Sequence, residues 1–242
     1  MVAGRRRVVE VCVLTPRVEA ITFDCYGTLI DWESGLLRAL TPLLARHNTT
    51  MKDDAMLELY ASLESQAESG PWIPYREVLA RVVDGLGEWV GFAPQPHERA
   101  WIAESLPGWT PFPDAIAALK DLKSRFRLGI VSNVDDDLFA ATSRHLGIDF
   151  DWVITAQQAR AYKPSHAIFE MALDRIGLPR TSVLHAAQSL YHDIAPAQAL
   201  GVRSVHVDRR GGKKSSGATP ATTVRPDDAV PDLASLAAML LR

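Results

Sequence analysis

Two kinds of hydrophobic spacing divide this chain. Val18 to Phe23 (VEAITF) is a short apolar run that ends in the polar turn Asp-Cys-Tyr-Gly-Thr, the pattern of a buried strand closing on a loop. From about Trp32 to Trp109 apolar positions recur at helical spacing, as in GLLRALTPLLARH, DDAMLELYASLESQ and YREVLARVVDGLGEWV, with breaks at Gly70-Pro71 and at Pro94, Gln95 and Pro96. That stretch predicts helices and no strand. From Pro111 onward the two periods alternate: PDAIAALKDLKSR reads as helix, FRLGIVSN as strand, DLFAATSRHLGI as helix and DWVITAQ as strand. HAIFEMALDRIGL (helix), SVLHAAQ (strand), IAPAQALG (helix) and SVHVDR (strand) continue the series. Such alternation predicts an α/β fold with a doubly wound parallel sheet. A core domain over 18–31 and 110–242 and an inserted helical domain over 32–109 follow from it.

Residues 1–17 precede the first clear element and are a candidate disordered N-terminal extension. Residues 209–228 (RRGGKKSSGATPATTVRPDD) are rich in Gly, Ser, Thr, Pro and charge, so a long loop is expected there, before a final PDLASLAAMLL helix. The cluster Arg209, Arg210, Lys213 and Lys214 reads as a solvated part of that loop rather than a phosphate site.

Composition narrows the partners. Of 242 residues, 47% are hydrophobic and 23% charged, as in ordinary globular proteins. Lys and Arg number 26 against 29 Asp and Glu, so no basic excess favours nucleic acid. The opening MVAGRRRVVEVCVL places three arginines before an apolar run, but Glu10 interrupts it and no small-residue cleavage site follows. No run approaches the roughly 20 apolar residues of a membrane span. The expectation is a cytoplasmic protein without a membrane partner. Cys12 and Cys25 lack metal-ligand spacing and read as reduced packing residues.

The candidate chemistry lies at strand ends. Asp24, Ser132 with Asn133, Lys163 and Asp193 are far apart in sequence, but a parallel sheet would bring them together at its carboxyl edge.

The segments FDCYGTLID, GIVSN, AYKPSHAIFE and HAAQSLYHDIAPAQALG resemble, in order, the four motifs of the haloacid dehalogenase superfamily. The resemblance covers nearly all of residues 19–208 and implies a Rossmann-like core with an all-helical cap over 32–109. It also implies that Asp24 is a nucleophile forming a covalent ester. A carboxylate is a modest nucleophile that needs proximity, hydrogen-bond donors and a cation, and in that assignment Lys163 supplies the charge, Ser132, Asn133 and Thr28 the donors, and Gly27 close backbone approach. Phosphatases of that superfamily carry a second Asp where Tyr26 stands, and a phenol with a pKa near 10 is a poor acid-base substitute. Magnesium-dependent members pair acids in the fourth motif, where Ala187 and Gln188 precede the lone Asp193.

Both departures resemble the type II 2-haloacid dehalogenases. That resemblance implies a metal-independent hydrolase that turns a halogenated carboxylic acid into a 2-hydroxy acid, with no cofactor and as a homodimer. Asp193, helped by His192, would activate water, and Cys25, Tyr26, Thr28, Gln188, Ser189 and His192 would contact substrate. The cap aromatics Trp72 and Tyr75 would close over the halide pocket. The early-cap arginine usual in that family is absent from LYASLESQAESG, leaving Arg76 as the nearest candidate, and Phe169 stands where a tyrosine is usual. The competing readings are a Mg²⁺-dependent phosphatase and a non-catalytic binding module.

Overall fold

The computed structural model describes residues 17–211, 217–220 and 222–242; Cys12, Lys213, Lys214 and the candidate extension up to residue 16 lie outside them. Strands β1 (Ala20–Phe23), β2 (Arg127–Ser132), β3 (Trp152–Thr155), β4 (Val183–Ala187), β5 (Arg203–Val207) and β6 (Asp228–Val230) form one sheet in the order β3-β2-β1-β4-β5-β6. Every neighbouring pair is parallel. β1 and β4 are buried along their whole length, which is why their sequences are continuous apolar runs rather than alternating ones. The order reverses beside β1, and in such sheets ligands bind at the carboxyl ends next to the reversal.

Between β1 and β2 the chain forms α1 (Trp32–Arg46), α2 (Asp53–Glu68), α3 (Tyr75–Val90) and the short α4 (Trp101–Ser105). The remaining helices are α5 (Ala115–Lys123), α6 (Asp136–Leu146), α7 (Ala156–Ala159), α8 (His166–Ile176), α9 (Ala195–Ala199) and α10 (Leu233–Leu240). Among the described residues no helix is long and apolar enough to cross a membrane.

Two sequence expectations need correction. The strand expected over DWVITAQ stops at Thr155, because the Thr155 hydroxyl accepts from the Gln158 amide and caps α7. The arginine pair at the start of the 209–228 segment is not solvated. Arg209 donates to both oxygens of Asp114 and to the Thr28 carbonyl, and lies 4.1 Å above the Phe112 ring. Arg210 pairs with Glu33. The segment therefore folds back over the loop that follows β1, and it ends in β6 rather than remaining irregular.

A buried carboxylate fixes the helical insertion to the core. Asp135, 4% exposed, accepts from the Tyr75 amide at 2.9 Å and the Arg76 amide at 3.0 Å, the first two of α3. A carboxylate there satisfies orphan donors and meets the positive end of the helix dipole. Asp135→Ala is expected to lose about 2 kcal/mol, a fall in Tm of roughly 4–8 °C for a chain of this size. Thermal unfolding followed by circular dichroism measures it.

Candidate active site

Sheet register sets the site. Phe23 lies beside Ile130 of β2 and Ala186 of β4, so Asp24, Ser132 and Gln188 emerge at nearly one level. The loop after Asp24 is tight: the Leu29 and Ile30 amides both return to the Cys25 carbonyl at 2.8 and 3.0 Å. Gly27 adopts φ 93°, and a Cβ there would meet the Trp32 indole nitrogen at 2.9 Å. Glycine is needed for both reasons.

Lys163 sits at the centre, 2% exposed. Its ammonium donates to Asp24 Oδ1 at 2.8 Å, Asp193 Oδ1 at 2.7 Å and the Val131 carbonyl at 3.0 Å. Asn133 holds it there from behind, accepting from the Lys163 amide at 2.7 Å and donating to its carbonyl at 3.2 Å. Burial alone would lower the Lys163 pKa, but Asp193 and then Asp24 outweigh it and hold the ammonium above its usual range.

The two carboxylates differ. Burial is the largest influence on Asp24 and raises its pKa, which Lys163 opposes. A more basic carboxylate is a stronger nucleophile, and the ammonium beside it resists protonation. Its second oxygen accepts from the Thr28 hydroxyl at 2.8 Å, and that hydroxyl in turn accepts from the Gln188 amide at 2.9 Å. Asp193 also feels burial, but Lys163 and His185 overcome it and lower its pKa. His185 Nε2 is 3.0 Å from Asp193 Oδ1, and its Nδ1 is 2.8 Å from the Thr22 hydroxyl. Asp193 Oδ2 is buried with no hydrogen-bond partner among the described residues.

These groups line a cavity of about 40 Å³. One water needs about 10–15 Å³ on such a measure, so the space suits a molecule of a few heavy atoms. Asp24, Ser132, Asn133, Lys163 and Asp193 all reach it, as do Tyr26, Gln188, Ser189 and His192. The Ser132 hydroxyl is buried without a partner among the described residues, a donor left free for a ligand. Burial lowers the His192 pKa to about 4, so the ring is neutral near pH 7. Tyr26 bonds through its hydroxyl to Thr142 and sets its ring edge-on to Trp109 at 6.0 Å. Burial raises its pKa well above that of an ordinary phenol, so it presents a ring and not an acid.

Four expected contacts are not brought to the cavity. Thr28 is one, its hydroxyl spent on Asp24 and the Gln188 amide. Arg76 pairs with Asp137, its side chain 47% exposed; a surface carboxylate on α6 has captured the guanidinium. Cys25 is fully buried in apolar core, and burial pushes its thiol pKa well up, so it packs and does not react. Trp72 does not line the cavity; Arg160 lies 4.6 Å over its ring. Tyr75 does line it.

Sequence reasoning missed His185, Trp32, Glu64 and Thr219, the last three lining the cavity. His185 is the one polar residue of VLHAA, and a fully buried imidazole in a central strand must find partners. Thr219 had no sequence signal.

Lys163→Met is expected to lose 3–5 kcal/mol at pH 8, the consequence of leaving two buried carboxylates uncompensated. The loss shrinks as pH falls toward 4, because protonation of those carboxylates removes the repulsion. Urea unfolding at the two pH values measures the difference.

A family model described as haloacid dehalogenase-like hydrolase matches residues 18–201. Haloacetate dehalogenase H-2 of Moraxella sp. (strain B) is 27% identical over 221 residues, spanning 88% of this chain and 96% of that enzyme. The (S)-2-haloacid dehalogenase of Pseudomonas sp. (strain YL) is 25% identical over 227 residues, 91% of this chain and 96% of its own. In fold the chain resembles the L-2-haloacid dehalogenase of Xanthobacter autotrophicus with chloropropionic acid covalently bound. The TM-score is 0.77 at 20% identity, covering 93% of this chain and 98% of that one.

Proposed function

Because this chain belongs to the haloacid dehalogenase-like hydrolase family, we propose that it hydrolyses a small 2-haloalkanoic acid to a 2-hydroxy acid and halide. The observation that carries this reading is Asp24 held by Lys163 and Thr28 on a cavity of about 40 Å³, with an unpartnered Ser132 hydroxyl beside it. The relatives named for haloacetate and (S)-2-haloacids support the substrate class.

The steps follow from the geometry. The substrate carboxylate takes the Ser132 hydroxyl, and the Asp24 carboxylate attacks the carbon bearing halogen. A carbon–oxygen bond forms, the carbon–halogen bond breaks, and halide leaves with the bonding pair. Water then attacks the carbonyl carbon of the Asp24 ester while Asp193 Oδ2, without a partner among the described residues, takes its proton. Collapse breaks the bond between that carbon and the product oxygen, which takes the proton from Asp193 as the 2-hydroxy acid, while the Asp24 carboxyl releases the second proton of the water to solvent and is restored as a carboxylate. Lys163 holds both carboxylates in place throughout, and His185 orients Asp193. Residues 32–109 act as a cap that excludes bulk water from the ester.

This reading needs no metal. The donor set does not fit a divalent cation well: among the described residues no group of three or more His, Cys, Asp or Glu side chains is placed to hold one. Tyr26 offers a buried ring where a second acid would stand.

Halide release from chloroacetate, fluoroacetate and both enantiomers of 2-chloropropionate is expected to persist in EDTA. Asp24→Asn is expected to lower it by at least about 10³-fold. Mg²⁺-dependent phosphate release from p-nitrophenyl phosphate without halide release would overturn the proposal.

A further inference from the structure

An acid reaches the cavity from the helical insertion. The buried stripe of α2, Met56, Leu57, Tyr60 and Ala61, continues at Glu64, which is 6% exposed and lines the cavity with Asp24 and Lys163. Glu64 Oε1 accepts from the Tyr60 hydroxyl at 2.7 Å and the Tyr75 hydroxyl at 2.6 Å. Oε2 makes no hydrogen bond among the described residues, so it is left for whatever enters the cavity.

Among the described residues no cation pairs with Glu64. On α2, Glu68 has a buried Oε1 without a partner among the described residues, and burial, then Glu64, raises its pKa well above the usual range. From α3 comes Tyr75, and from the loop before Pro164 come Tyr162, its ring 6.2 Å from Tyr75, and Lys163. The three Lys163 donors are already committed to Asp24, Asp193 and Val131. Asp135 is occupied by the α3 amides, and His192 is neutral. Burial raises the Glu64 pKa to about 7, with the two phenols restraining it. Below that pH the carboxyl keeps its proton. Since both phenols donate to Oε1, the proton belongs on Oε2.

Position decides what this donor serves. Displacement at a saturated carbon requires the leaving group opposite the nucleophile. Asp24 lines the cavity from the end of β1, and Glu64 and Tyr75 line it from α2 and α3 of the helical insertion.

We propose that Glu64 is a catalytic residue whose carboxyl O–H donates a hydrogen bond to the departing halide. The inference rests on the dehalogenase reading above. In the first step the carbon–halogen pair leaves on the halide, while the proton stays on Glu64 and stabilises the new charge. Fluoride, the strongest hydrogen-bond acceptor and poorest leaving group of the halides, gains most. Bromide gains much less.

The test compares fluoroacetate with bromoacetate between pH 5.5 and 9 in the wild type, Glu64→Gln and Glu64→Leu. In the wild type, the fluoroacetate to bromoacetate ratio of kcat/KM is expected to be flat below about pH 7. Above it the ratio falls toward tenfold per unit, since only the protonated acid assists. Glu64→Gln keeps a donor without a titration, so its ratio stays flat across the range. Glu64→Leu is expected to lower fluoroacetate turnover about a hundredfold more than bromoacetate turnover. Parallel losses on both substrates, or a ratio independent of pH in the wild type, would assign Glu64 a structural role and overturn the proposal. If Glu64→Leu does not fold, the Glu64→Gln profile decides. Absence of halide release from bromoacetate in the wild type would instead remove the dehalogenase reading itself.

Discussion

One buried ammonium sets the terms for the whole site. Each Lys163–carboxylate contact is worth about 6 kcal/mol at an effective dielectric constant near 20, of the same order as the several kcal/mol each ion gives up on leaving water. The triad therefore adds little net stability and a great deal of geometric definition. It requires Asp24, Val131 and Asp193 to arrive within 3 Å of one nitrogen. A parallel sheet with β1 between β2 and β4 delivers them there. Asn133 clamps the Lys163 backbone, so the cation stays aligned with the strand ends.

The elements around the triad serve that alignment from two sides. Arg209 ties the segment after β5 to the Thr28 carbonyl, so the loop bearing the Asp24 partner Thr28 is braced from the far end of the chain. Asp135 anchors α3 to the core and thereby positions Tyr75 over the cavity. Tyr75 in turn orients Glu64. Core and insertion thus each contribute a charged or titratable group, Lys163 with its carboxylates below and Glu64 above, around a space of about 40 Å³.

Much of this was legible in the sequence. The alternation of helical and strand periods after Pro111 placed the sheet, and strand-end polarity singled out Asp24, Ser132, Asn133, Lys163 and Asp193, which the structure gathers on one cavity. Other features escaped for physical reasons. Arg209 and Arg210 sit among Gly, Ser and Lys, so their local composition suggested solvent, whereas their partners Asp114 and Glu33 are distant in sequence. Arg76 was named as the arginine nearest the cap stretch where the resemblance implies one, but its guanidinium pairs with Asp137 instead. Glu64 did leave a signal. It continues an apolar stripe at helical spacing, and an acid on a buried face is costly without a purpose or a partner.

The central claim is that Asp24 forms the covalent bond. A single turnover of bromoacetate in ¹⁸O-water, with enzyme in excess, tests it most directly by mass analysis of the peptide containing Asp24 and of the glycolate product. Hydrolysis of an aspartyl ester places the label on Asp24 and leaves the first glycolate unlabelled. Label in the first glycolate, with Asp24 unlabelled, would mean that water attacks the substrate carbon directly and would contradict the account.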